Sequence, residues 1–224
     1  MEKRGICYFV DELIMRKKFF SATARSKTIE ADYTVEIYAA TPRQCIEFEN
    51  KAYFSRLCEN GCKNFNCKWA CPPNAPAFSA IALPWSELYI IYMRMPMCAF
   101  AGIKNEYLRI KAANSMLKSR ADKYMRKLAE KYGKYISTGS CRLCKPCKFK
   151  EGKPCAHSSV MAYSFEALGI NVGALINKYS DYPLLWYRKG NLPDYTSVVC
   201  GLLTNEKIAL EELEWQYFNI IREV

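Results

Sequence analysis

Eight of the twelve cysteines in this chain lie in two short runs, and that crowding constrains the fold more than any other feature. The second run, Cys141-x2-Cys144-x2-Cys147-x7-Cys155, places four sulfurs in one loop, 141–157. Three thiolates separated by two residues each wrap successive corners of a small inorganic cube, and a fourth a few residues on closes it. A structural zinc site more often joins two well-separated C-x2-C knuckles, so that the metal staples two segments together. Ligand type and spacing therefore favour a 4Fe–4S cluster here, with zinc as the alternative.

The first run is Cys58-x3-Cys62-x4-Cys67-x3-Cys71, followed by Pro72 and Pro73, in a loop spanning 58–73. The prolines fix φ and remove backbone donors, which stiffens the exit from Cys71. Gly61 permits the turn that brings Cys58 and Cys62 together. Phe65 and Trp69 stand among the sulfurs, where apolar cover would help set a cluster's reduction potential. Buried free thiols are the bland reading, since cysteine packs as a small hydrophobe. Four of them in a Lys- and Asn-rich loop argue for ligands instead. A second 4Fe–4S cluster is expected at Cys58, Cys62, Cys67 and Cys71.

Disulfides are the competing use for so many cysteines. The N-terminal residues carry charge early and lack a long apolar core, so no secretory signal is expected. No stretch reaches the roughly 18 uncharged apolar residues of a membrane span. A cytoplasmic location follows as the expectation, and dense cysteine there means metal or redox work, in an organism living without much oxygen. With 224 residues the chain is long enough for one domain, 1–224, with its own core.

The net charge of +11 is uneven. Lys104 to Lys134 holds ten basic residues against three acidic ones, a net of +7. Such a helix either steers an acidic partner, a ferredoxin- or flavodoxin-type redox protein, or is simply a solvated face. Aromatic residues are not interleaved there as in an RNA-stacking module, which disfavours nucleic acid. Neither a GxGxxG fingerprint nor a P-loop occurs.

Alternation over 33–39 predicts a half-buried strand. Thr41, Pro42 and Gln44 form a capping-box start for a helix running to about Leu57, which would deliver Cys58 at its end. Leu88–Met93 reads as a strand buried on both faces. A long basic helix follows, with Leu117, Ala121, Tyr124, Met125, Leu128 and Tyr132 as its apolar stripe and Gly133 as its stop. Tyr135–Ser137 reads as a short strand entering the second cysteine loop. Helix is expected over 158–168, strands near 184–187 and 198–203, and a last helix from about Asn205. The class is α/β or α+β, with a single mixed β-sheet, flanking helices and two cysteine-rich cluster-binding loops.

These residues resemble a cysteine-rich family of predicted metal-binding proteins, a domain of unknown function common in anaerobic bacteria and archaea. Arg56, Leu57, Cys58, Cys62, Phe65, Trp69, Cys71, Pro72 and Pro73 match its first motif. Cys141, Cys144, Cys147, Cys155, Ser164, Glu166, Ala167, Gly169, Ile170 and Val172 match its second. The likeness covers roughly 35 to 205. Ala156 and Ser158 stand where the family carries Arg and Pro, and Cys67 stands where it carries a basic or polar residue. The resemblance thus implies metal binding and only three cysteines at the first site; it implies no reaction.

Among the remaining candidates, His157 reads as a loop residue near the cluster, with iron ligation or proton donation as its sharper roles. Ser158 reads as a helix cap. Glu166 is either near the cluster or on a solvated helix face. Cys7, Cys45, Cys98 and Cys200 are isolated, and three of them lie in apolar stretches that suit core thiols. Three functions remain open: an electron-transfer protein or redox-enzyme component with two clusters; an enzyme whose three-cysteine cluster keeps an open iron as Lewis acid; and a zinc scaffold or RNA-interaction module.

Overall fold

The computed structural model describes residues 16–222; Cys7 lies outside them. Five strands form one sheet in the order β1-β2-β3-β5-β4: β1 (Lys17–Arg25), β2 (Glu30–Ala40), β3 (Glu87–Pro96), β4 (Gly133–Ile136) and β5 (Tyr195–Thr204). Every ladder is antiparallel, and an isolated parallel bridge joins Ser137 to Ser164. β3 is central, so both of its faces are covered. Leu88, Ile90 and Tyr92 enter one apolar cluster and Tyr89, Ile91 and Met93 the other, as the two-residue period of a strand requires.

One face carries α4 (Glu106–Tyr132) and α6 (Leu210–Arg222), the other α3 (Phe78–Ala82) and α5 (Val172–Tyr179). The expectation of an α/β or α+β chain with a single sheet and flanking helices holds, with the ladders antiparallel rather than mixed. Asn105 caps α4 by accepting from Leu108 N at 3.0 Å, and Ala113, Leu117, Ala121, Tyr124, Met125 and Leu128 are its buried stripe. Gly133 ends that helix where the chain turns straight into β4. A Cβ there would stand 2.1 Å from the Leu203 carbonyl oxygen, so only glycine lets β4 pair with β5.

Four sequence expectations need correction. The helix from Pro42 is interrupted: α1 (Pro42–Cys45) with its capping box gives way to a 3₁₀ turn, and α2 (Lys51–Glu59) starts afresh. Asn50 breaks the pattern because its side chain accepts from Tyr53 N at 3.1 Å and caps the second helix. Residues 158–168 are turn and irregular chain, with one helical turn at Ser164–Leu168, so Ser158 starts no helix; Ser164 Oγ accepts from Ala167 N instead. Residues 184–187 are irregular. They belong to a strap held by a buried ion pair: Arg94 binds Glu36 at 2.7 Å, Ser180 donates to Glu36 at 3.0 Å, and Tyr182 stacks on the guanidinium. The last helix begins at Leu210, five residues late, after Ile208 N has been anchored on Tyr89 Oη.

Candidate metal centre

Both cysteine loops spring from one clasp, residues 164–171. Asn50 N donates to the Gly169 carbonyl at 2.7 Å and Lys51 Nζ to the Ala167 carbonyl at 2.6 Å, which ties down the start of α2. Phe78 N donates to the Leu168 carbonyl at 2.9 Å, which ties down the far end of the first loop. Glu49 adds a carboxylate to Ser79 N at 2.8 Å at the start of α3. Ser137 N reaches the Tyr163 carbonyl at 2.7 Å and closes the base of the second loop. Gly169 is at φ 94°, and a Cβ on it would lie 2.6 Å from Lys51 Cα. The clasp approaches α2 that closely only because glycine is there.

On this base α2 carries Cys58 in its last turn, and Cys62 N donates back to the Cys58 carbonyl at 2.9 Å. Asn66 adopts the left-handed conformation, which an amide side chain tolerates, and its N–H donates to the Pro72 carbonyl at 2.8 Å. That bond closes the 66–72 turn that contains Cys67 and Cys71. Cys71 is buried; Cys62 is exposed; Cys58, Cys67, Cys141, Cys144, Cys147 and Cys155 are half-buried.

The two loops also touch. Lys68 Nζ donates to the Cys141 carbonyl at 2.9 Å and to Ser140 Oγ at 3.1 Å. Trp69 Nε1 donates to the Lys153 carbonyl at 3.0 Å, and its ring meets Phe149 edge-on at 5.0 Å. The thiols follow suit. Burial pushes the Cys71 thiol up to about 11, against the pull of Lys68, and Cys62, Cys58 and Cys141 act on it too. Burial raises Cys58 as well, with Cys62 and Glu166 adding to the rise. Desolvation raises Cys144, and Cys147, Cys155 and Cys141 reinforce it. These effects run among Cys58, Cys62 and Cys71 of the first loop and among Cys141, Cys144, Cys147 and Cys155 of the second, and reach across from Cys141 to Cys71.

Cys67 stands where the two loops meet. It lines a cleft of about 260 Å³ between the loops, together with Cys144, Cys147 and the lysines 63, 68, 145 and 150. Among the described residues no three His, Cys, Asp or Glu side chains stand ready-made around a metal position. The donor set is nevertheless of one chemical kind, thiol sulfur, and every one of the eight predicted cysteines is on these two loops. Soft thiolate donors in this number fit iron–sulfur or zinc and do not fit a hard cation.

The other candidates separate from the centre. Cys45 and Cys200 are buried core thiols, as read; Cys98 is exposed. His157 is exposed, and its carbonyl accepts from Val160 N. Glu166 is half-buried and acts on both Cys58 and Lys118. Lys148 and Lys153 pair with Glu151 at 2.9 and 3.0 Å. Lys51, Lys68 and Glu49, which hold the loops in place, carry no sequence signal as singles. The one that was readable is Asn171, which caps α5 through Ala174 N before the buried spacing of Val172, Leu175, Ile176 and Tyr179.

The family model of the predicted metal-binding proteins, DUF2284, matches residues 41–203. The chain belongs to that family. Both cysteine loops, the clasp and strands β3, β4 and most of β5 lie inside the match. No curated protein and no solved structure matches the chain. Among the described residues no helix is long and apolar enough to cross a membrane.

Proposed function

We propose that this member of a metal-binding family holds two clusters of the 4Fe–4S type, one per cysteine loop, and passes electrons between them, alone or as part of a redox enzyme. The carrying observation is that the two cysteine loops are joined: Lys68 Nζ of the first donates to the Cys141 carbonyl of the second at 2.9 Å, and Trp69 Nε1 to the Lys153 carbonyl at 3.0 Å. Bound there, such clusters would supply one-electron chemistry. The chain's own contribution is threefold. Lys68 and Trp69 hold the loops in contact, burial of Cys71 limits water, and the lysines around the cleft at Cys67 favour the more negative, reduced state.

A second reading has its own support. A first cluster held by Cys58, Cys62 and Cys71 alone, with Cys67 given to the cleft it lines beside Cys144 and Cys147, would leave one iron free to act as a Lewis acid. An acidic redox protein is the proposed partner, docking on the exposed lysines 104, 111, 127 and 131 of the basic 104–134 segment. Protein isolated without air is expected to be brown and to contain iron and acid-labile sulfide in equal amounts. A colourless preparation with stoichiometric zinc would overturn the proposal.

A further inference from the structure

β4 pairs only with the last residues of β5, from Gly201 to Thr204. Beside the earlier part of β5 lies a cavity of about 320 Å³. Lys118 of α4, Thr138, Glu166 of the clasp, Val172, Leu184 and Trp186 line it. Lys118 and Glu166 feel each other's charge but form no salt bridge, and neither side chain has a hydrogen-bond partner among the described residues. Burial, with Arg142 nearby, holds the Lys118 ammonium below its usual range while Glu166 opposes this. An opposite pair of charges is thus held apart across one cavity. A half-buried ammonium and a half-buried carboxylate that line one cavity without pairing favour a ligand that meets both. The rest of the wall is mixed: Asn114, Thr138, Thr196 and Ser197 are polar, while Val172, Leu184 and Leu185 make an apolar side where the Trp186 indole, 70 % exposed, stands uncovered.

We propose that this cavity binds a small zwitterion with an apolar flank, an α-amino acid by chemical class. Its carboxylate meets Lys118, its ammonium meets Glu166, and its side chain lies against Val172, Leu184 and Trp186. An inorganic anion would face Glu166 and leave the apolar wall unused; a metal cation would face Lys118. Lys118 also lines a smaller cavity with Gly139, Ser140 and Cys141, so the ligand would sit beside the second cysteine loop. Binding itself depends on no particular metal, and its failure would leave the iron–sulfur reading standing.

The test is calorimetric titration of the full chain, isolated without air, with L-phenylalanine, 3-phenylpropanoate and phenethylamine. Phenylalanine is expected to bind about tenfold or more tighter than either single-charge analogue. Lys118→Met should lower its affinity to that of phenethylamine, and Glu166→Gln to that of 3-phenylpropanoate. Trp186→Ala changes an exposed residue, leaves the fold intact, and should weaken all three. Circular dichroism of each variant checks its fold. The absence of saturable heat with phenylalanine at about 10 mM, or an affinity unchanged in both Lys118→Met and Trp186→Ala, would overturn the proposal.

Discussion

Lys68 of the first cysteine loop donates to the carbonyl oxygen of Cys141 in the second at 2.9 Å. Because it joins one cysteine loop to the other, this bond helps fix the distance between them. Lys68→Met is expected to cost about 1–2 kcal/mol, the range of a partly buried hydrogen bond from a charged donor. The midpoint of denaturant unfolding should fall while the iron content of the folded protein stays unchanged. Loss of iron without loss of stability would assign Lys68 to the metal rather than to the join.

The clasp makes Gly169 the least replaceable glycine near the site. Gly169→Ala adds a Cβ 2.6 Å from Lys51 Cα at φ 94°, so both strain and clash arise. A loss of about 3 kcal/mol or more is expected, at the severe end of single substitutions. Because α2 carries Cys58, the variant should also lose metal from the first loop before the second, which metal content along a denaturant series would reveal.

Cys67 separates the two functional readings. It lines the cleft with Cys144 and Cys147. Cys67→Ser is therefore expected to alter the EPR signal of the second-loop cluster and to spare the signal that Cys71→Ser abolishes. Loss of the first-loop signal in Cys67→Ser would show that Cys67 closes the first cluster with four thiolates.

Thiol labelling offers a measure of the centre by metal removal. In the loaded protein at pH 8, Cys98 should react quickly because it is exposed. Chelation should then expose up to the eight loop cysteines to reagent, as mass spectrometry will count. Cys45 should stay silent throughout, since burial pushes its thiol from the ordinary 9.0 up to about 12. The sign follows from linkage: the folded state keeps the Cys45 proton where the unfolded chain has lost it. Stability from this thiol is full below pH 9 and is lost as pH rises toward 12. Rapid labelling of Cys45 at pH 8 in the folded protein would contradict this.

Much of this was legible in the sequence, for reasons that can be named. β3 and α4 announce themselves because burial on two faces and on one stripe leaves a period of the right kind. β1 does not, since only Phe20 and Ala24 of its nine residues are buried. The 158–168 segment mimicked a helix because Phe165 and Leu168 are apolar at helical spacing; they pack on the sheet from a single turn. The second family motif was visible as a string of residues, but its purpose was not. Its Ser164, Glu166, Ala167 and Gly169 are the clasp, and its bonds reach partners more than a hundred positions away. The cleft around Cys67 and the Lys118–Glu166 cavity are likewise built across loops, where no local spacing reports them.

The account rests on two cysteine loops holding separate iron–sulfur clusters, and one paired measurement tests it: iron and acid-labile sulfide per chain, without air, for the wild-type protein and for Cys144→Ser. Two clusters of the 4Fe–4S type predict about eight irons and eight sulfides in the wild type and about half of each in the variant. Zinc without sulfide in the wild type, or an iron content in Cys144→Ser equal to that of the wild type, would contradict it.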